Sequence, residues 1–211
     1  YGDHRDLHSF PTRRSSDLIS APAPAALTEL FDDGIENVRL EIGFGGGEHL
    51  IAEAQAFPNM GFIGCEPYVN GMAKILTQIE AQNIGNIRLF AGDAAELLAW
   101  APPRSLTRID LIHPDPWPRR RHWKRRFVQD ATVAAMTRLL PPGSEFRFVS
   151  DIDDYCAWTL AHLMRSPDFA WLAERAIDWL EPWPNYTMTR YGAKAEREGR
   201  KAAYLRFRRL G

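Results

Sequence analysis

A single carboxylate lies next to a dense run of cations between residues 114 and 126. Asp115 stands inside the sequence Pro114-Asp-Pro-Trp-Pro118, and six of the eight residues from 119 to 126 are lysine or arginine. Prolines fix φ and bias the preceding residue away from helix, so this carboxylate is expected in a rigid turn. Clustered cations bind phosphates. The pattern therefore indicates chemistry on a nucleic acid.

The elements around this turn indicate how it is positioned. Apolar residues over 109–112 predict a buried strand, so Asp115 should follow the carboxyl end of that strand. In open α/β sheets, ligands bind at this edge. Strands and helices alternate along most of the 211 residues, of which 45% are hydrophobic. This composition predicts one α/β domain with a substantial core.

A glycine-rich turn stands between a predicted strand, 38–42, and a predicted helix, 48–56. Glycine permits positive φ and close approach of a ligand, and the helix N-terminus offers free N–H groups. A dinucleotide fingerprint would need glycine at position 48, where this chain has Glu48. The pattern Glu41-x-Gly43-x-Gly45-x-Gly47 instead resembles the first motif of S-adenosylmethionine-dependent methyltransferases. A purely structural glycine turn is the alternative.

Two further acids are predicted to follow strands. Glu66 ends the predicted strand 61–65, where an acid can accept hydrogen bonds from both hydroxyls of a ribose. Asp93 follows the predicted strand 87–90, in a position suited to contact an adenine amine. Asp93 also precedes a predicted helix, 94–100, so a helix-capping role stays open and is compatible with ligand binding.

Charge is distributed very unevenly, although the formal net charge is only −1. Residues 119–126 carry six cations and no acid, and residues 189–211 carry eight cations and two acids, which leaves −13 on the rest. Solvated surface charge is the simpler explanation. Two basic runs beside one edge of a sheet nevertheless favour a phosphate-binding surface.

The remaining composition limits the class of protein. Cys65 and Cys156 are too few for a disulfide framework and match no metal-ligand spacing, so we predict reduced thiols and no metal. No stretch approaches the roughly 20 apolar residues of a membrane span, and no signal-peptide core is found. We therefore expect a cytoplasmic protein with no membrane partner. Monomer and homodimer both stay open.

Several motifs together carry a more specific resemblance over about residues 38–209. They are Leu40-Glu-Ile-Gly-Phe-Gly45, Gly64-Cys-Glu-Pro-Tyr68, Pro114-Asp-Pro-Trp-Pro118 with Arg121-His-x-Lys-Arg-Arg126, Ser150-Asp151, and Thr189-Arg-Tyr191 with Lys194-Ala and Gly199-Arg200. This set resembles the bacterial tRNA (guanine-N7)-methyltransferase family. The resemblance implies a Rossmann-like class I methyltransferase with a seven-stranded, mostly parallel sheet and helices on both faces. It also implies methyl transfer from S-adenosylmethionine to N7 of guanine 46 in the tRNA variable loop.

The resemblance also assigns roles to matching positions, with Asp115 as the proposed active-site residue. The positions expected to bind the cofactor are Glu41, Gly43, Gly45, Gly47, Glu66, Asp93 and Asp115. The positions expected to bind tRNA are Arg119, Arg121, His122, Lys124, Arg125, Arg126, Asp151, Thr189, Arg190, Tyr191 and Gly192. Guanine N7 carries a lone pair and no hydrogen, so no base must remove a proton. We expect Asp115 to anchor the guanine by accepting from its N1–H or N2–H.

Some of these positions have simpler explanations. Asp115 could act only as a turn former, and His122 could be only an exposed surface residue. Trp117 could stack on the target base or pack within the turn. Asp151 follows the predicted strand 145–149 and could bind substrate or cap the predicted helix 153–165.

Other elements are expected to be structural. Apolar spacing over 127–140 predicts a helix packed on the sheet, and alternation over 202–208 predicts the last strand. Trp171, Trp179 and Trp183 are expected to pack in the core or in loops rather than to bind bases.

The chain departs from the family pattern in three places. Arg119 stands where lysine is frequent, which preserves the charge but changes its shape. Gly192 stands where glutamate commonly follows Thr-Arg-Tyr, so a carboxylate expected to contact substrate is absent. The usual arginine-bearing segment upstream of the first strand is replaced, so part of the expected tRNA contact surface is missing.

The first 18 residues share no periodicity with the rest of the chain. Residues 10–18 can be back-translated into TTCCCTACACGACGCTCTTCCGATCT, which resembles a sequencing-adapter oligonucleotide. We interpret residues 1–18 as a sequence artefact, with a disordered arm as the alternative. Residues 19–37, rich in Ala and Pro at their start, are expected to be a lead-in, and 38–211 the methyltransferase domain. Finding the codons for residues 10–18 in source DNA would contradict the artefact.

Two other functions compete with this interpretation. Asp115-Pro-Trp resembles the Asp-Pro-Pro-aromatic turn of amino-methyltransferases acting on adenine or cytosine, but the Trp-Pro continuation and the basic run argue against them. The second is a non-catalytic RNA-binding protein with a degenerate cofactor fold. Acids at four predicted strand ends argue against it. Binding of S-adenosylmethionine separates an enzyme from such a binder, and the position of the methyl separates N7 from an exocyclic amine.

Overall fold

The computed structural model describes residues 18–19 and 22–211. Its strands are β1 Asn37–Ile42, β2 Met60–Cys65, β3 Ile87–Phe90, β4 Arg108–Ile112, β5 Glu145–Ser150, β6 Phe169–Trp171 and β7 Ala203–Arg209. They form one seven-stranded sheet in the order β3-β2-β1-β4-β5-β7-β6. The first five are mutually parallel, and β7 pairs antiparallel with both β5 and β6. The predicted seven-stranded, mostly parallel sheet is confirmed.

Helices cover both faces of this sheet. They are α1 Glu48–Ala56, α2 Val69–Gln82, α3 Ala94–Trp100, α4 Asp130–Leu139, α5 Asp153–Arg165, α6 Ile177–Leu180 and α7 Arg190–Arg197. Two short 3-10 helices cover Leu27–Leu30 and Arg120–Arg125. Because side chains alternate along a strand, Phe62 of β2 packs with α1 and α2, whereas Ile63 packs with α3, α4 and α5. The core therefore has one apolar layer on each face.

The strand order brings two loops together at the carboxyl edge. β1 lies between β2 and β4, so the chain runs outward in one direction through β2 and β3 and in the other through β4 and β5. Such a reversal opens a crevice beyond the carboxyl ends of the two central strands. The glycine turn follows β1 and the Asp115 turn follows β4. The fold thus places these two segments beside one crevice.

Most element boundaries match the sequence predictions to within one residue, and one helix begins later than predicted. The predicted helix 127–140 begins three residues later, at Asp130, because Gln129 N donates to Thr132 Oγ1 at 2.9 Å and caps the helix there. The segment expected to be a lead-in is partly packed on the core. Leu27 is buried against the core, and Arg88 Nε donates to the Leu30 carbonyl oxygen at 2.6 Å. These contacts hold the segment before β1 on the sheet.

The N-terminal interpretation lies mainly outside the described residues, since residues 1–17, 20 and 21 are not among them. Leu18 forms a parallel bridge with Leu89, and Ile19 N donates to the Leu89 carbonyl oxygen at 2.8 Å. In the part of the chain that is described, no helix has the length and apolar content to cross a membrane. The same residues contain no cluster of three metal-binding side chains.

Candidate active site

The glycine turn after β1 has the backbone conformation that requires glycine. Gly43, Gly45 and Gly47 have φ of 69°, 57° and 82°, values that β-carbon-bearing residues rarely adopt. Gly43 N donates to the Cys65 carbonyl oxygen at 2.7 Å, which fixes the start of the turn to the end of β2. Gly47 then serves as the N-cap of α1. The turn is therefore held in shape by its own chain before any ligand binds.

Glu66 is tied to this turn by both carboxylate oxygens. Its Oε2 accepts from Gly45 N and its Oε1 from Tyr68 N, each at 3.0 Å. The residue is buried, with only 5% of its surface exposed. Each carboxylate oxygen has a second lone pair, so Glu66 can still accept from the two hydroxyls of a ribose. This geometry is compatible with the role predicted for Glu66.

Glu41 lies deeper and is paired with a histidine that the sequence analysis did not single out. Its Oε2 lies 2.7 Å from His49 Nδ1, and both side chains are buried. Burial raises the pKa of Glu41, although His49 opposes that shift. Burial lowers the pKa of His49, but the charge and hydrogen bond of Glu41 more than reverse this, so it is raised overall. The pair links β1, which precedes the glycine turn, to α1, which follows it.

Asp93 lies at the third strand end and is exposed. Its side chain accepts from Ala95 N at 2.7 Å, so the capping role that the sequence left open is confirmed. A capping carboxylate uses one oxygen and leaves the other available. Contact of Asp93 with adenine therefore stays a prediction.

The turn after β4 presents its carboxylate to solvent. Asp115 is exposed, while Trp117 is half-buried and has φ of 42°. The Arg125 guanidinium lies over the Trp117 ring at 4.7 Å, and the His122 ring contacts its edge at 5.9 Å. Trp117 thus packs within the turn, as one of its two predicted roles required. Stacking of Trp117 on a base is not tested by these contacts.

The cationic strip, residues 119–126, divides into an exposed part and one buried residue. Arg119, Arg121, Lys124 and Arg125 are exposed on or beside the 3-10 helix, and His122 is half-buried. The prediction that Arg126 binds tRNA is wrong, because only 2% of its surface is exposed. The Arg126 side chain points into the protein instead.

Arg126 is enclosed by aromatic rings and anchors the turn that carries Asp115. Its guanidinium lies 5.0 Å from the Trp123 ring centroid, 4.9 Å from that of Tyr155 and 5.3 Å from that of Trp158. Arg126 Nε donates to the Pro116 carbonyl oxygen at 3.0 Å, and Nη2 donates to Asp154. A guanidinium over several ring faces is stabilised by their quadrupoles. The residue expected to hold phosphate therefore holds the turn that carries Asp115.

Asp151 is also engaged within the protein. One carboxylate oxygen lies 3.2 Å from His113 Nδ1, and the other accepts from Arg200 Nε at 2.6 Å. Burial would raise the pKa of Asp151, but the hydrogen bonds from Arg200 and His113 lower it overall. Asp151 is not the N-cap of α5, which is Ile152. Substrate binding by Asp151 stays a prediction, limited by these two partners.

The segment 189–192 connects the two sides of the crevice. Thr189 is the N-cap of α7, and its Oγ1 accepts from Gly192 N at 3.2 Å. A β-carbon built on Gly45 would lie 3.1 Å from the Tyr191 ring and 3.7 Å from Arg190 Nη2. Side chains predicted to contact tRNA thus lie directly over the predicted cofactor turn.

A separate cavity of about 470 Å³ lies near β6 and is lined by Trp171, Trp183 and Arg206, among others. It shares no lining residue with the glycine turn or the Asp115 turn. Trp183 is buried, contacts Tyr186 and Tyr204 edge-on, and stacks on Arg147. Packing was the role predicted for this tryptophan, and we assign the cavity no chemistry.

The structure brings most of the predicted site residues to one edge, and it adds three residues whose contacts the sequence analysis did not predict. His49, His113 and Arg200 are partners of Glu41 and Asp151. His49 and His113 stand next to motif residues in the sequence, which was a usable signal. Arg200 is separated from its partner Asp151 by 49 positions in the sequence, and nothing local indicates that pairing.

Comparison with known proteins agrees with this geometry. A family model described as "Putative methyltransferase" matches residues 36–205. A tRNA (guanine-N(7)-)-methyltransferase of Rhodopseudomonas palustris strain BisB18 is 77% identical over 204 residues, which is 97% of this chain and 81% of that protein. A protein of the same name from Bradyrhizobium diazoefficiens is 76% identical over 191 residues, which is 90% of this chain and 81% of that protein.

Solved structures support the fold at much lower identity. The 16S rRNA methyltransferase KamB superposes with a TM-score of 0.58 at 14% identity, covering 86% of this chain and 95% of its own. That likeness speaks for the architecture alone. The matches to the two relatives cover 97% and 90% of this chain. The chain belongs to the tRNA (guanine-N7)-methyltransferase family.

Proposed function

We propose that this protein transfers a methyl group from S-adenosylmethionine to N7 of a guanine in tRNA. One observation carries the proposal: a glycine turn with buried, hydrogen-bonded acids lies beside an exposed carboxylate and an exposed cationic strip at one sheet edge. The names of the high-identity relatives support the same reaction. Position 46 of the variable loop, implied by the family resemblance, is the finer part of the proposal.

The residues around the glycine turn fit S-adenosylmethionine. Glu66 keeps free lone pairs for a ribose, and Asp93 keeps one carboxylate oxygen for an adenine amine. The turn itself lacks side chains at Gly43, Gly45 and Gly47, so a ligand can approach the backbone closely. When bound there, S-adenosylmethionine supplies an electrophilic methyl group on a sulfonium that leaves as a neutral thioether.

The protein's own part of the reaction is positioning and charge compensation. The N7 lone pair forms the new N–C bond, so no proton is transferred and no general base is required. Methylation places a positive charge on the guanine, and the Asp115 carboxylate can offset this charge as it develops. Holding two reactants at attack distance can contribute roughly 7 to 11 kcal/mol. Asp115, anchored through Pro116 by Arg126, is the group that we assign to hold the base.

The exposed residues of the cationic strip support a nucleic acid as the substrate. Arg119, Arg121, Lys124 and Arg125 are exposed beside Asp115 and can neutralise backbone phosphates on either side of the target base. The basic residues of α7 lie on the other side of the crevice, where Arg190 and Tyr191 cover Gly45. We further propose that 38–211 acts as one methyltransferase domain and works in the cytoplasm, where tRNA is modified.

Product identification tests the proposal directly. The protein is incubated with unmodified tRNA and S-adenosylmethionine, the RNA is digested, and methylated nucleosides are identified by mass spectrometry. Formation of 7-methylguanosine is expected, and its loss from a tRNA carrying adenine at position 46 would locate the target. Methylated adenosine or cytidine would overturn the proposal in favour of an amino-methyltransferase. Binding of cofactor with no methylated nucleoside would also count against it.

A further inference from the structure

We infer that His113 is a positioning residue that couples the catalytic turn to the segment lying over the cofactor turn. The inference rests on the proposed function. His113 stands two residues before Asp115, and its N–H donates to the Val149 carbonyl oxygen at 2.8 Å, which extends the sheet past β4. Its φ is 49°, a left-handed value that is uncommon for a residue other than glycine. Such a backbone persists where surrounding contacts impose it, often next to an active site.

The first of those contacts orients the imidazole. The His113 side chain is only 3% exposed, and its Nδ1 lies 3.2 Å from Asp151 Oδ1. A carboxylate can only accept, so the Nδ1 proton faces Asp151 and Nε2 is the unprotonated nitrogen. Asp151 is itself held by Arg200, which follows α7 in the sequence. The ring plane is thereby set by two partners distant in the chain.

The second contact is the close approach of the imidazole to Gly192. A β-carbon built on Gly192 would lie 3.1 Å from His113 Nε2 and 2.4 Å from Met188 Sδ. The Nε2 atom is buried and has no hydrogen-bond partner among the described residues. The absence of a side chain at Gly192 therefore lets the ring pack directly on the first turn of α7. The chain thus has a use for glycine at this position that the family pattern did not suggest.

These contacts make one continuous path across the crevice. His113 joins the Asp115 turn to Gly192, and the neighbouring Tyr191 lies against Gly45 of the cofactor turn. Any shift of the imidazole must move α7 relative to the Asp115 turn, because Gly192 leaves no space between them. The distance between the methyl donor and the guanine is set by those same two turns. A displacement of about 1 Å at such a site can cost about 100-fold in rate.

Two variants separate the parts of this contact. His113→Asn keeps a donor toward Asp151 and tolerates positive φ, but vacates the space against Gly192. Gly192→Ala leaves His113 unchanged and pushes on the same contact from the opposite side. We expect each variant to lower kcat by about 10-fold to 100-fold. The KM for tRNA and the Kd for S-adenosylmethionine should stay within about 3-fold, because His113 is buried and glycine has no side chain to lose.

Matched controls come from outside the crevice. His162→Asn removes another histidine whose Nδ1 pairs with an aspartate, Asp130, at 2.6 Å. Gly85→Ala adds a methyl group where nothing lies within 4 Å. Both should retain wild-type kcat. The double variant His113→Asn with Gly192→Ala should lose no more activity than the worse single variant, because one contact is broken twice. Additive losses, or an unchanged kcat in both single variants, would overturn the coupling.

Hydrogen exchange gives a readout that does not depend on activity. We expect His113→Asn and Gly192→Ala to increase amide exchange in peptides covering 43–48 and 189–193, with no change for Gly85→Ala. Unaltered exchange in both peptides would contradict the inference even if the wild-type protein methylated no tRNA. Wild-type protein that makes no 7-methylguanosine but shows the exchange response would refute the proposed function alone.

Discussion

The two sides of the crevice differ in how much of their chemistry is already arranged within the protein. On the side proposed to bind the cofactor, Glu41 and Glu66 are buried and accept hydrogen bonds from their own chain. On the side proposed to bind the substrate, Asp115 and most of the cations beside it face solvent. Preorganised groups in a water-poor site retain strong electrostatic interactions, whereas exposed charges are screened. A small ligand such as the cofactor can be bound by buried groups in fixed positions. A large polyanion such as tRNA needs an exposed, positively charged surface.

Buried residues support the exposed ones on the side of the crevice that carries Asp115. Arg126 lies beneath the cationic strip and holds the Pro116 carbonyl oxygen, and His113 lies beneath the Asp115 turn. The exposed surface is therefore held in place by a packed base, which consists of the buried residues Arg126 and His113. Variants on each side should consequently fail in different measurements.

The largest effect is expected from the exposed carboxylate. Asp115→Ala should lower kcat by about 100-fold to 1000-fold, because the group that holds the base and offsets its charge is lost. The Kd for S-adenosylmethionine should change by less than about 3-fold. Asp93→Ala is the matched change on the cofactor side and should weaken cofactor binding while sparing kcat. Calorimetry measures the Kd for the cofactor, and single-turnover kinetics measure the rate of methyl transfer. A loss of cofactor affinity in Asp115→Ala with a loss of rate in Asp93→Ala would contradict the assignment of the two sides.

The next largest effect tests the packed base. Arg126→Met should lower the free energy of unfolding by about 3 kcal/mol, because a buried guanidinium loses its hydrogen bond to Pro116 and its aromatic contacts. The neighbouring exposed Arg125→Met should change it by less than about 0.5 kcal/mol. Urea unfolding measures both. Equal stabilities for the two variants would show that the strip has no buried member.

Glu66→Gln tests whether the cofactor cradle depends on its carboxylate. An amide nitrogen cannot accept from Gly45 N or Tyr68 N, so one of these buried donors loses its partner. The amide nitrogen also cannot accept from a ribose hydroxyl. One hydrogen bond between the ligand and a charged group is worth about 1.5 to 3 kcal/mol, so we expect about 10-fold to 150-fold weaker binding of S-adenosylmethionine. Binding of tRNA at low salt is the control and should not change. Weakened tRNA binding would contradict the assignment of Glu66 to cofactor binding alone.

The strip itself should respond to salt. Arg121→Gln with Lys124→Gln removes two exposed cations, so the slope of log K against log salt should flatten by about 0.7 to 0.9 for each lost phosphate contact. Arg104→Gln removes an exposed cation at the opposite, amino-terminal edge of the sheet and should leave the slope unchanged. Fluorescence anisotropy over a salt series measures these slopes. An equal change for Arg104→Gln would mean that the strip has no special role.

The smallest effect is a pH dependence of stability. Burial lowers the pKa of His113 below its ordinary value, and the pairing with Asp151 only partly opposes this. The unfolded chain therefore binds the extra proton more readily, so stability falls as pH drops from about 6.5 through the folded pKa of His113. Urea midpoints of wild-type protein should decline over that range, and His113→Asn should show a shallower decline. Parallel curves would contradict the burial of an uncharged imidazole.

Local patterns predicted the fold well because they depend on neighbouring residues. The helices Glu48–Ala56 and Asp153–Arg165 begin and end where the sequence predicted, since apolar spacing and flanking turn residues mark both ends. The glycine turn was also readable, because positive φ at three nearby positions is possible only for particular residue types. Proline on either side of Asp115 likewise fixed the turn locally.

Distant contacts escaped prediction for the opposite reason. Arg125 and Arg126 are the same residue type at adjacent positions, yet one is exposed and the other lies against rings that include Tyr155 and Trp158. Nothing in the cationic run distinguishes them, because two of the three rings around Arg126 belong to α5 and only Trp123 lies in the run itself. The glycine at position 192 was likewise visible in the sequence, but its contact with His113 was not. Its neighbour across the crevice, His113, precedes it by 79 positions, so the sequence showed a missing carboxylate and not the ring that occupies the space.

The sequence by itself therefore determined the alternation of strands and helices, the glycine turn, the acids at the strand ends and the surplus of cations near Asp115. These follow from periodicity, proline and glycine stereochemistry and residue charge, which act over a few residues. Only the tertiary structure decided which cation is buried, which histidines orient the acids and how α7 lies over the cofactor turn. Those outcomes depend on burial and packing between segments that the chain brings together only when it folds.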